Sequence, residues 1–240
     1  MFKVLRSLTV CLLVVGVLAL GQGVVSTVHA ESASTKATVQ TIPGESLAKK
    51  LTDRVHSSWP WYVTRASGLV AGFSLIILML SGIGQITGHT FKILDPLTSW
   101  ASHRALGIAF SVSVLVHIFS LLFDHFIPFN LLQLLVPWVS AYKPVILFGI
   151  HLGSAYVAFG IVSFYLTLLI TLTSLFWINS HPKTWKFLHL TSYIVIGLVF
   201  VHALFLGTDL AKGVFRWVWL AVNAGVLFGM LARLKRVRTI

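Results

Sequence analysis

Charge is what this sequence has least of. Only 10% of its 240 residues are charged, against 57% hydrophobic, where a soluble domain of this size carries roughly 25% charged residues. The deficit excludes an ordinary soluble fold and points to a membrane protein. Acids are scarcer still: Glu31, Glu45, Asp53, Asp95, Asp124 and Asp209 are all there are. None falls in the middle of an apolar run. Proton- and cation-coupled transporters bury a carboxylate in the membrane, so that class loses weight. Cysteine is reduced to Cys11. One thiol excludes an intramolecular disulfide, a Cys-x-x-Cys-His attachment and an all-cysteine iron–sulfur centre within the chain. A Gly-x-Gly-x-x-Gly fingerprint is also missing. The length leaves no room for a soluble nucleotide-binding domain beside about six hydrophobic stretches of ~20 residues.

What the chain has instead is basic residues and histidine. Eighteen Lys and Arg give a net charge of +12, and there are ten histidines. The basic residues sit at segment ends and in loops. They read as topology signals and lipid-headgroup contacts rather than as a nucleic-acid face. Nucleic acid is therefore not an expected partner, and membrane lipid is.

Taken in order, residues 1–30 read as a signal peptide. Lys3 and Arg6 precede an apolar run, and Val28-His29-Ala30 is a small-residue cleavage site. The alternative is an uncleaved anchor helix. Residues 31–58 form a polar extracytoplasmic tail, with a short helix expected near 45–55. Trp59-Pro60-Trp61-Tyr62 is an aromatic belt at a membrane interface. Five spans are expected, at Ala66–Thr87, His103–Phe123, Val145–Ile178, Phe187–Leu206 and Val214–Leu231. Leu131–Val136, between the second and third, is expected at the interface. Residues 233–240 form a basic tail. The expected fold is an all-α bundle of five transmembrane helices plus the N-terminal signal or anchor, in a bacterial plasma membrane.

Basic residues orient the bundle. With residue 31 outside, Lys92, Arg104, Lys183, Lys186, Arg233, Lys235, Arg236 and Arg238 fall inside, against Arg65, Lys143, Lys212 and Arg216 outside. This is the positive-inside pattern, with a cytoplasmic C-terminus. The second and fourth spans then run parallel, from inside to outside.

Each parallel span carries two histidines. His103 and His117 are fourteen residues apart, and His189 and His202 thirteen. On helices these spacings rise about 21 Å and about 20 Å. One histidine from each span therefore sits at each of two levels. Two facing imidazoles at one level can hold a haem iron axially, and two levels give two haems and an electron route across the bilayer. A single zinc ion fits poorly, because the levels are too far apart. Fourteen residues return to within about 40° of the start, whereas thirteen leave His202 about 140° from His189 on an ideal helix. Either a non-ideal turn, with Gly197 a candidate, or two haems approaching from different sides would accommodate that offset. Cations for haem propionates are available in Arg104 and Lys186 at the inner level, and in Arg65, Lys212 and Arg216 at the outer one. His151 is a lesser candidate, near the outer end of the third span. His89, His125 and His181 read as loop residues.

At these residues the sequence resembles the ferric reductase-like transmembrane domain family. The matching stretches are Trp61-Tyr-Val-Thr-Arg65-Ala-Ser-Gly68, His103-Arg104-x-Leu-Gly107 with His117, and Pro137-x-x-Ser140-x-Tyr142-x-Pro144. Trp185-x-x-Leu-His189-x-x-Ser-Tyr193 and His202-Ala-Leu-Phe-Leu-Gly207-Thr208-Asp209 complete them. The resemblance covers residues 59–232 and includes the two histidine spacings. It implies axial ligation of haem b, with His103 paired to His189 and His117 to His202. Two haems are expected, with one as the alternative. Full ferric reductases carry a flavin and nicotinamide domain that this chain lacks. The resemblance therefore implies a haem-carrying subunit of an oxidoreductase. Its electrons would come from a cytoplasmic flavoprotein or a quinol, with FMN, FAD or quinone supplied through a partner. They would leave for ferric iron, oxygen or an extracytoplasmic reductase subunit. A non-redox scaffold and a haem-binding sensor with a labile ligand are the alternative functions.

Overall fold

A backbone in lipid has no water to bond to, so each crossing segment closes its own hydrogen bonds as a helix. The computed structural model describes residues 47–124, 126–147, 150–151 and 154–238. The expected signal or anchor, residues 1–30, and most of the polar tail lie outside them. Helix α1 (Leu47–Thr87) starts within the segment read as tail and continues through Pro60. Helix α2 (Pro96–Leu121) starts seven residues before the expected His103. The hydropathy edge is the wrong marker there. Asp95 is the cap, its carboxylate accepting from the Thr98 backbone N–H at 2.9 Å, with Pro96 in the first turn. Hydrogen bonding to Thr98 holds the Asp95 carboxyl below its usual pKa.

A short helix α3 (Leu131–Leu135) follows, closed by a reciprocal capping box between Asn130 and Gln133. The third span departs furthest from its expected limits. Ile146–Leu147 (β1) and Ile150–His151 (β2) pair as an antiparallel ladder, and helix α4 begins only at Ala155 and ends at Phe176. Hydropathy does not distinguish a short apolar strand from a helical turn. The expected fourth span is two helices, α5 (Pro182–His189) and α6 (Ser192–Leu206), and α7 (Val214–Arg238) is the last.

Among the described residues, five helical segments are long and apolar enough to cross a membrane: Ser58–Thr87, Pro96–Leu121, Ala155–Phe176, Pro182–Leu206 and Val214–Ala232. The architecture is that of a multi-pass membrane protein. Its packing has two units. In one, α1 lies along α2; in the other, α4 lies along α6; α7 covers α1. The core between them includes Leu75, Ile76, Met79, Val195, Trp219 and Val226. The opposite faces, such as Val70, Phe73, Ile77 and Leu80 of α1, are exposed and apolar, which suits contact with lipid. Hydroxyl pairs join helices across the apolar interior: Thr64 to Ser120 at 2.7 Å and Ser111 to Thr171 at 3.0 Å.

Candidate functional site

The backbones of α2 and α6 approach closely at almost no point. The space between them is bridged by imidazoles. The ring centres of His103 and His189 are 6.2 Å apart, and those of His117 and His202 are 6.4 Å apart. The four histidines thus meet as two pairs, each joining a residue of α2 to one of the α5–α6 segment: His189 ends α5 and His202 lies on α6. Among the described residues no three metal-binding side chains gather at one point.

The 140° offset that an ideal helix would leave between His189 and His202 is relieved in part by a local irregularity. The helix is interrupted between His189 and Ser192, where Thr191 N–H bonds Leu188 O at 3.0 Å and Ile194 N–H bonds Thr191 O at 2.8 Å. These are three-residue closures, and each residue of such a turn adds about 20° of rotation over an α-helical one. The irregular turn expected at Gly197 therefore lies at Leu190–Thr191 instead. Gly197 itself is buried inside regular helix.

Every ligand candidate has its Nδ1 engaged by a neighbouring helix. His117 Nδ1 donates to Thr64 O at 2.9 Å, and His202 Nδ1 donates to Tyr156 O at 2.8 Å. A carbonyl only accepts, so Nδ1 carries the proton in both rings and Nε2 keeps the lone pair. His103 Nδ1 lies 3.1 Å from Ser81 Oγ, and His189 Nδ1 lies 3.5 Å from Ser174 Oγ. Among the described residues no hydrogen bond reaches any of the four Nε2 atoms. Imidazoles engaged through Nδ1 keep Nε2 for another partner, the arrangement that suits a metal ligand.

Small residues admit the rings. A Cβ on Gly160 of α4 would lie 2.6 Å from the His202 ring, one on Gly68 of α1 3.1 Å from His117, and one on Gly82 3.4 Å from His103. The supporting positions repeat. Gly68 and Gly82 are fourteen residues apart on α1, as are Gly160 and Ser174 on α4. The repeat on α1 equals the His103–His117 spacing, and that on α4 is one residue longer than the His189–His202 spacing.

The ring separations suit two ligands of one haem iron. Two imidazoles bound to one iron from opposite sides, each with a metal–nitrogen bond of about 2 Å and its ring centre about 1 Å further back, have centres about 6 Å apart. Both pairs meet that requirement. A cavity of about 100 Å³ opens between His117 and His202, lined mainly by apolar side chains including Phe110, Val114, Leu134 and Phe164. A cofactor-sized ligand needs about 300–1,000 Å³, so a macrocycle fits there only with those side chains turned outward.

The cationic candidates are placed differently. Arg65 is committed to Asp209: Nε donates to Oδ2 at 3.0 Å, Nη2 donates to Oδ1, and the guanidinium stacks on Trp61 at 4.2 Å. Arg216 donates to Leu210 O at 3.2 Å. Arg104, one residue from His103, lies over the Trp100 ring at 5.5 Å. The backbone of His151 belongs to β2, ahead of the third span rather than within it. His89 and His181 are exposed, and His125 lies outside the described residues.

Sequence reasoning missed Ser81, Ser174, Gly160 and the carbonyls of Thr64 and Tyr156. The fourteen-residue repeat of Gly68–Gly82 was a usable signal, since it matches His103–His117. A backbone carbonyl leaves no signal in a sequence. No protein-family model, curated protein or solved structure matches the chain.

Proposed function

We propose that the protein is a membrane cytochrome b of the ferric reductase-like type, holding one haem between His103 and His189 and a second between His117 and His202. The observation that carries this reading is the pairing itself: two imidazole pairs with ring centres 6.2 and 6.4 Å apart, each ring engaged through Nδ1 by a neighbouring helix. Haem held by these four histidines would supply one-electron transfer.

The chain's own residues do the rest. α1 and α4 aim each imidazole, and the carbonyls of Thr64 and Tyr156 fix the tautomers of His117 and His202. Gly68, Gly82 and Gly160 leave room for the rings, and the apolar lining keeps water from the second pair. With a rise of about 21 Å between levels along α2, the two sites would lie near opposite membrane faces. By the distribution of basic residues, the His103/His189 level is the cytoplasmic one, in a bacterial plasma membrane. Electrons would arrive from a cytoplasmic flavoprotein or a quinol and leave for an extracytoplasmic acceptor, such as ferric iron, oxygen or a reductase subunit. Arg65 and Arg104 are candidate propionate partners, Arg65 only on leaving Asp209.

The test is haem content per chain, with oxidised and reduced spectra, on detergent-purified protein expressed with ample haem. A ratio near two with six-coordinate b-type bands is expected, and His103→Ala or His189→Ala lowers it to one. Colourless protein overturns the reading.

A further inference from the structure

The two levels differ in what holds their imidazoles. The His117/His202 level is held by backbone carbonyls at 2.9 and 2.8 Å. The His103/His189 level is held by serine hydroxyls at 3.1 and 3.5 Å. At Ser174 there is competition. Trp185 Nε1 donates to the same Ser174 oxygen at 3.1 Å, closer than His189 Nδ1 at 3.5 Å. The indole also lies against the His189 ring, with centres 5.3 Å apart and planes 37° apart. Trp185 is half-buried, in the middle of α5 and four residues before His189.

We infer that Trp185 is a positioning residue for the inner site, acting through Ser174 to set how strongly His189 is held. The inference rests on the haem reading above. A strong acceptor on Nδ1–H makes an imidazole a more basic ligand and favours oxidised iron. The indole N–H draws on the Ser174 oxygen and keeps that acceptor weak toward His189. The inner site is thereby biased to accept electrons more readily than carbonyl-backed ligands alone would make it. Each residue has a distinct sign. Losing the indole N–H frees Ser174 for His189 and favours oxidised iron. Losing the Ser174 hydroxyl removes the acceptor and favours reduced iron.

The experiment is a redox titration of the full, haem-loaded chain in detergent. The inner step is identified as the one missing from His189→Ala. Trp185→Phe keeps the aromatic ring and removes the N–H. It should move the inner step to lower potential, with a several-fold lower reduced-to-oxidised ratio at fixed poise. Ser174→Ala should move the same step upward, and Ser174→Thr, which keeps a hydroxyl, should leave it near wild type. The double variant Trp185→Phe/Ser174→Ala should match Ser174→Ala alone, because the indole acts only through the serine. The outer step should stay in place throughout. An unmoved inner step in Trp185→Phe, a shift of the same sign in both single variants, or additive shifts in the double variant overturn the inference. A haem-free wild-type chain overturns the haem reading by itself. In that case the ¹⁵N shift of His189 Nδ1 decides the Trp185 role: opposite displacements in Trp185→Phe and Ser174→Ala support it, and no displacement overturns it.

Discussion

Gly160 and His202 stand so close that a Cβ on Gly160 would lie 2.6 Å from two atoms of the imidazole. Backbone of α4 cannot retreat, because Tyr156 O on the same helix is the acceptor for His202 Nδ1 at 2.8 Å. One helix both presses on the ring and holds it.

Gly160→Ala should therefore displace His202, lose the haem at that level and cost about 1–3 kcal/mol through overpacking. Gly107→Ala is the matched control, since a Cβ there meets nothing within 4 Å. Haem content and thermal midpoint in detergent report both. A Gly160→Ala protein with two haems would show that the approach is looser than it looks.

The two members of a pair should behave as one unit. His117→Ala and His202→Ala should each remove the same haem, and the double variant should remove no more than either alone. Retention of both haems in either single variant, read from reduced spectra, would break the assigned pairing.

The Arg65–Asp209 pair ties α1, one residue beyond the Thr64 carbonyl, to the turn after α6. Breaking it by Arg65→Ala or Asp209→Ala should lower stability by about 1–3 kcal/mol, the usual size for a charge-assisted, two-point contact. The exchange Arg65→Asp/Asp209→Arg should recover part of that. Equal thermal midpoints in wild type and both single variants would mean that the contact carries no weight.

Asp95 gives the helix that bears His103 and His117 its start. Its carboxyl titrates below the ordinary carboxylate range because it accepts from Thr98. The carboxylate contribution is thus present above the unfolded value of about 3.9 and is lost as pH falls through the lower folded value. Asp95→Ala should lower the thermal midpoint at neutral pH and flatten its fall in acid, and Asp95→Asn should keep the neutral-pH value. An Asp95→Ala midpoint equal to wild type at pH 7 would deny the cap its role.

The histidine levels were legible because they rest on two numbers, fourteen and thirteen, that any helix converts into height. Five spans were legible from hydropathy. The start of α2 was missed by seven residues, although Asp95-Pro96 marks it, because the cap lies outside the apolar run. The start of α4 was missed because residues 145–151 are as apolar as a span yet include a β-ladder. The 140° offset was legible as a conflict but not as a location. Leu190 and Thr191 carry no helix-breaking residue, and the tight turn between α5 and α6 is a matter of hydrogen bonding. Ser81 and Ser174 look like ordinary small residues in membrane helices until the ring beside each is placed.

The carbonyls behind His117 and His202 have a consequence for mutational drift. A carbonyl belongs to every residue type, so a substitution at 64 or 156 does not by itself withdraw the acceptor, provided the helix stays put. Hydroxyls at 81 and 174 have no such insurance. One site is written into the main chain and resists alteration. The other is written in side chains, where single substitutions can retune it.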